Sequence, residues 1–177
     1  MAKRKKLYSW VLSAMFLALA LVLPFLTGQI RQIGNALCPM HVPVLLCGFF
    51  CGPWYGLAVG LMAPILRFFL FGMPSPLTPL GLAMSLELGT YGLVSGLLYR
   101  KLRKKKSGVL LSLVSAMIAG RLVWGAASVI LYGVGRSEFG WMAFLSGAVL
   151  NALPGILLQL VLIPVLVTVL EKRAPET

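Results

Sequence analysis

VPVLLCGFFCGPWYGLAVGLMAPILRFFLF, running from Val42 to Phe71, is thirty residues long and carries one charge, Arg67. A helix crossing a membrane needs about 20 apolar residues, since it rises 1.5 Å per residue through a hydrocarbon core about 30 Å thick. Thirty residues are too many for one crossing and just enough for two short ones. Gly52, Pro53 and Gly56 supply the break between them, because proline cannot continue a helix and glycine tolerates a sharp bend.

The same apolar character extends outward in both directions. Leu7–Leu26 precedes this run, and Leu80–Leu98, Val109–Tyr132 and Met142–Leu170 follow it. The spans are therefore expected at about 7–26, 42–52, 56–71, 80–98, 109–132 and 142–170. The last exceeds what a bilayer requires, and Pro154 and Pro164 offer points where it can kink. Composition agrees: 59% of the 177 residues are apolar and 11% are charged, where soluble domains average about 45–50% and about 25%. Mean hydropathy is +0.94. The expected fold class is an all-α integral membrane protein, one membrane domain over residues 1–177 built from six transmembrane helices. The start has the basic flank and the Ala18-Leu19-Ala20 triplet of a removable signal, but apolar sequence continues to Leu26, so the first helix is read as retained.

The net charge is +12, from sixteen Lys and Arg against four Glu and no Asp. Such a balance raises the question of nucleic-acid binding. The placement of the cations answers it. Lys3, Arg4, Lys5 and Lys6 precede span one; Arg100, Lys101, Arg103, Lys104, Lys105 and Lys106 lie between spans four and five; Lys172 and Arg173 follow span six. These twelve of sixteen cations share one face of a membrane when four and then two spans separate them. Cytoplasmic flanks are rich in Lys and Arg, so both termini and the 100–106 loop are expected inside (N-in/C-in), in a multi-pass protein of a cell membrane. The basic stretches then report orientation and contact with anionic lipid, and nucleic acid drops out as a partner.

Much familiar chemistry is missing. The sequence has no G-x-x-x-x-G-K-[ST] and no H-E-x-x-H, so neither a P-loop nor that zinc site is encoded. His41 is the sole histidine and lies before span two, not on a late span where a serine–histidine pair would need it. Cys38, Cys47 and Cys51 with His41 are the one conceivable metal set. Cys47 and Cys51, four apart on one helix face, read more simply as small apolar residues, and no metal is expected.

Ionisable and amide groups at membrane depth are costly and face a bundle interior or cavity. Arg67, Glu87, Arg121, Asn151 and Gln159 fall within spans, and Tyr91 follows Glu87 by one helical turn. The first outward loop is polar, with Gln29, Arg31, Gln32, Asn35 and His41, and is longer than a connector needs. Two arrangements are open: a structural pairing of Glu87 with an arginine, or a polar pocket under that loop. Mid-span Trp124 could stack on a ring. The substrate-binding candidates are Arg31, Asn35, His41, Arg67, Glu87, Tyr91, Arg121, Trp124, Asn151 and Gln159.

Several motifs in order resemble one family. Pro39-Met40-His41-Val42-Pro43-Val44-Leu45-Leu46-Cys47-Gly48 is followed by Gly52-Pro53-Trp54-Tyr55-Gly56 and Gly60. Gly72-Met73-Pro74, Glu87-Leu88-Gly89-Thr90-Tyr91-Gly92 and Leu153-Pro154-Gly155-Ile156 with Gln159 come after. Together they resemble the substrate-binding S components of energy-coupling factor (ECF) transporters, over nearly the whole chain. The resemblance implies six membrane helices that bind a vitamin or related micronutrient near the outer surface. It implies a transmembrane coupling subunit and two cytoplasmic ATPases as partners, with ATP used by those partners and no cofactor in this chain. In that family an A-x-x-x-A motif on the first helix touches the coupling subunit, and Ala14 and Ala18 match it. The bound ligand would move inward by a toppling of the whole subunit. Arg67 and Arg121, with Arg31 and Arg136 from the outer loops, lean toward an anionic ligand such as pantothenate or folate, unless Glu87 cancels one of them. Two other readings stand beside this one: a structural or assembly membrane protein without a small ligand, and a membrane-embedded enzyme using Glu87.

Overall fold

The computed structural model describes residues 2–26, 39–72, 78–105, 107–134 and 153–173. Among them are six α-helices and no strand: α1 (Ala2–Leu26), α2 (His41–Cys51), α3 (Pro53–Phe71), α4 (Pro79–Leu102), α5 (Gly108–Val134) and α6 (Leu153–Arg173). Five are long and apolar enough to cross a membrane. The exception is α2, whose 11 residues rise about 16 Å, half of a hydrocarbon core. The second expected span is thus too short to cross by itself. It is also the most enclosed helix, with every residue from His41 to Phe49 buried.

The break between α2 and α3 is one residue wide. Gly52 adopts φ 104°, ψ 174°, a backbone state open to glycine alone without strain. Pro53 then begins α3 at its first position, where its missing N–H costs nothing. Gly56 belongs to α3 and plays no part in the break, contrary to expectation. Its role is contact: a Cβ there would lie 2.6 Å from the carbonyl oxygen of Gly92 and 2.9 Å from the Cα of Gly48. Backbones of α2, α3 and α4 meet at this point, as small residues permit in membranes. Gly48, Gly52, Gly56 and Gly60, spaced by four, all turn toward α4 because the chain folds at Gly52: Gly48 faces Gly92 and Ser95, Gly52 faces Arg100, and Gly60 faces Leu88. These contacts make α2 parallel and α3 antiparallel to α4. Helix α5 returns antiparallel, with Gly108 against Leu102 and Gly120 against the Tyr91 ring.

The start of α4 is capped by the Thr78 hydroxyl, which accepts from the Gly81 N–H at 3.3 Å, and Pro79 follows at the first position. Gly72 ends α3 in the left-handed conformation, its N–H donating to the Phe68 carbonyl at 2.7 Å. Pro154 is the second described residue of α6, and Pro164 lies inside it. The expected stretch 142–152 lies outside the described residues.

The core surrounds α2 and α4, with Phe16, Val44, Leu45, Leu88, Tyr91, Leu113, Ile163 and Val167 buried. The outer faces are apolar as well: Leu7, Val11, Met15, Val22, Leu122, Val129 and Val161 are exposed. A water-soluble protein could not carry such a surface; in lipid it is the required one.

One end of the bundle gathers the basic segments. Trp10 of α1 packs edge-to-face on Tyr55 at 5.7 Å, the Arg100 guanidinium lies over Gly52, and the Tyr99 hydroxyl donates to Glu171 of α6. Arg103 Nε is 3.6 Å from Glu171 Oε1. These contacts bring the amino end of α1, the α4–α5 turn and the carboxyl end of α6 together. Tyr8, Trp10 and Trp54 are exposed there, the residue types that anchor a membrane interface.

Candidate functional site

At the opposite end of α2, and eight residues into α4, lies a buried polar cluster. Glu87 is 3% exposed, Tyr91 2% and His41 4%. One carboxylate oxygen, Glu87 Oε1, accepts from the Tyr91 hydroxyl at 2.8 Å and is ion-paired with Arg121 Nη1 at 3.0 Å. His41 Nε2 stands 3.8 Å from the same oxygen, beyond hydrogen-bond range. The imidazole instead packs against the Tyr91 ring, centroids 5.1 Å apart.

Each member is delivered by a local feature. The Glu87–Tyr91 spacing of four puts both on one face of α4. His41 is the first residue of α2, which places its ring at the depth of Tyr91 because α2 runs beside α4. Gly120 lets α5 close onto the Tyr91 ring, and that contact sets the next residue, Arg121, against Glu87. Arg121 keeps 19% of its side chain exposed, so the pair is buried on the carboxylate side and open on the other. An ion pair in a low-dielectric interior holds only when geometry and extra hydrogen bonds compensate desolvation; here the Tyr91 hydroxyl is the extra bond.

Further along α5, Trp124 is buried with Ala83 and Ala127, one turn past Arg121 toward the start of α4. Ser128, fully buried, comes a turn later. Among the described residues its hydroxyl has no hydrogen-bond partner, and neither ring nitrogen of His41 has one. Other buried serines bond their own helix: Ser85 to Gly81, Ser95 to Gly92, Ser112 to Gly108. Ser128 was not among the sequence candidates, although its spacing of seven from Arg121 marks it as sharing that helix face.

Of the ten candidates, the structure unites His41, Glu87, Tyr91 and Arg121, with Trp124 adjacent. Arg67 is not part of the group. Since α3 runs antiparallel to α4 with Gly60 at Leu88, Arg67 sits about 10 Å further along the axis, half-buried and without an ion-pair partner among the described residues. Gln159 is buried on α6. Arg31, Asn35 and Asn151 lie outside the described residues. Ala14 and Ala18 both lie on the exposed face of α1. Cys47 and Cys51 are buried free thiols; Cys38 lies outside the described residues, and no set of three metal-ligating side chains occurs among those described.

What the cluster does chemically is hold charge in place. A carboxylate already bound by a guanidinium and a phenol is poorly disposed to act as a general acid. No curated protein and no solved structure matches the chain. The family described as "ECF transporter, substrate-specific component" matches residues 6–167. With helices made for lipid, a non-catalytic polar cluster in their midst and a family match over almost its full length, the chain belongs to the substrate-specific components of ECF transporters, non-catalytic membrane subunits that work with a coupling subunit and ATPases.

Proposed function

We propose that this subunit captures a vitamin-like micronutrient at the Glu87–Arg121–Tyr91–His41 cluster, reached from the membrane face opposite the basic end. The carrying observation is the cluster itself. Four polar side chains from three helices converge eight residues, about 12 Å, inside the start of α4, and burying them is costly unless they serve a purpose. Twelve cations assigned to the other end support a cytoplasmic basic end, hence N-in/C-in and an outward-facing ligand entrance. On this reading residues 1–177 act as one membrane domain, and ATP is consumed by the partner ATPases.

The lean toward an anionic ligand loses one of its supports, because Arg121 is engaged by Glu87. Inward delivery by toppling on the coupling subunit, with Ala14 and Ala18 as the contact, fits their exposed position on α1. The test has two arms. Mass spectrometry of the purified chain should reveal a co-purifying small molecule. Uptake of that molecule should require ATP, the coupling subunit and the ATPases together. A chain that carries no small molecule, binds none, and tolerates Arg121→Ala in every uptake assay would favour the structural reading instead.

A further inference from the structure

We infer that the ligand presents an uncharged hydrogen-bonding group, such as an amide, hydroxyl or ring nitrogen, to the Glu87 cluster, and that His41 is the residue that reads it. This rests on the substrate-capture reading above. The two opposite charges of the cluster are spent on each other across 3.0 Å. A carboxylate that joined Arg121 would put a second anion on a guanidinium whose charge Glu87 already balances, beside a carboxylate 3% exposed. An ammonium that joined Glu87 would put a second cation on a carboxylate already balanced by Arg121. Either ligand leaves a net charge in a buried cluster, the costly outcome in such sites.

The hydrogen-bonding capacity on offer is of another kind. Among the described residues both ring nitrogens of His41 lack a hydrogen-bond partner, as does the hydroxyl of Ser128. A neutral imidazole has one donor and one acceptor, and a hydroxyl is both. Buried groups of this sort are nearly always satisfied, and leaving them bare is expensive. An uncharged ligand satisfies them without touching the ion pair. Trp124 lies between Arg121 and Ser128 on the same helix face and is buried, which gives such a ligand an aromatic neighbour. His41 starts α2, the one helix enclosed on nearly every side, so a ligand bound there meets the centre of the bundle.

The experiment uses the full chain in lipid nanodiscs at neutral pH. The co-purifying compound is identified by mass spectrometry. Binding is then measured by calorimetry for it and for two matched probe pairs, pantothenol against pantothenate and nicotinamide against nicotinate. The expected result is an uncharged co-purifying compound, with any probe pair that binds favouring its uncharged member at least tenfold. His41→Ala should weaken binding of the uncharged compound at least tenfold. Ser128→Ala, which removes one oxygen, serves as the second variant should His41→Ala unfold, and should weaken it several-fold. Glu87→Gln, which leaves the Arg121 charge uncancelled, should shift preference toward the acid member. A co-purifying anion or cation, tighter binding of the acid member by the native chain, or full affinity in both the His41 and Ser128 variants would overturn the inference while leaving substrate capture intact. Absence of any co-purifying compound together with no binding of any probe would overturn the capture reading, and this inference with it.

Discussion

Replacing Arg121 by glutamine should destabilise the chain more than replacing both Arg121 and Glu87 together. The single change leaves the Glu87 carboxylate 3% exposed, with the Tyr91 hydroxyl as its remaining hydrogen bond at 2.8 Å. Removing one partner of a buried pair costs about 3–5 kcal/mol. Because Arg121 is 19% exposed and its loss admits some water, the lower end, about 3 kcal/mol, is the appropriate figure. Glu87→Gln leaves a guanidinium that can reach toward the open side, so its cost should be near 2 kcal/mol, the value of a lost charged hydrogen bond. The double variant retains two neutral amides that can bond each other and should lose only about 1–2 kcal/mol. The coupling between the sites is then roughly 3 kcal/mol, well above the ~0.5 kcal/mol within which independent sites add. Thermal unfolding in detergent can be followed with a thiol-reactive dye, since Cys47 and Cys51 are buried and free and react as the bundle opens. At about 2–4 °C per kcal/mol for a chain of this length, Arg121→Gln should lower Tm by roughly 6–12 °C and the double variant by much less. Additive single effects, or a double variant less stable than Arg121→Gln, would refute the pairing.

Gly92→Ala should force α3 from α4, because the new Cβ would strike the Gly56 backbone; a loss of about 1–3 kcal/mol is expected from overpacking, read as a lower Tm. Ala14→Trp sits on the exposed face of α1, so Tm and ligand binding should be unchanged while uptake with the coupling subunit and ATPases is abolished; intact uptake would remove span one from the contact. Glu171→Gln replaces the carboxylate that holds Tyr99, and should cost about 1–2 kcal/mol by thermal unfolding. Arg103→Gln, whose side chain is 71% exposed in its pair with Glu171, should be nearly silent.

Local patterns carried the reading a long way. Transfer of some twenty residues from water to lipid is a property of those residues alone, so the five long spans could be read from the run of apolar side chains. The Glu87–Tyr91 bond was equally legible, since spacing of four on a helix is fixed by backbone geometry. The partner of each glycine stayed hidden, because it depends on which way Gly52 turns the chain.

The identity of the partner of Glu87 was decided by the tertiary structure. Two arginines were available on paper, Arg67 near the outer end of its span and Arg121 near the middle of its own. Helix register chose between them: Gly120 against Tyr91 aligns Arg121 with the carboxylate, while Gly60 against Leu88 carries Arg67 two turns past it. His41 and Ser128 acquired meaning the same way, through burial without a hydrogen-bond partner, which no spacing in a single segment can express. Sequence alone established a lipid-embedded helical chain, the three basic segments and the polar residues within the spans, because those follow from residue-by-residue free energies of solvation. Which of those residues meet, and with what net charge, is a matter of packing register between helices, and that sum over many close backbone contacts exists only in the folded bundle.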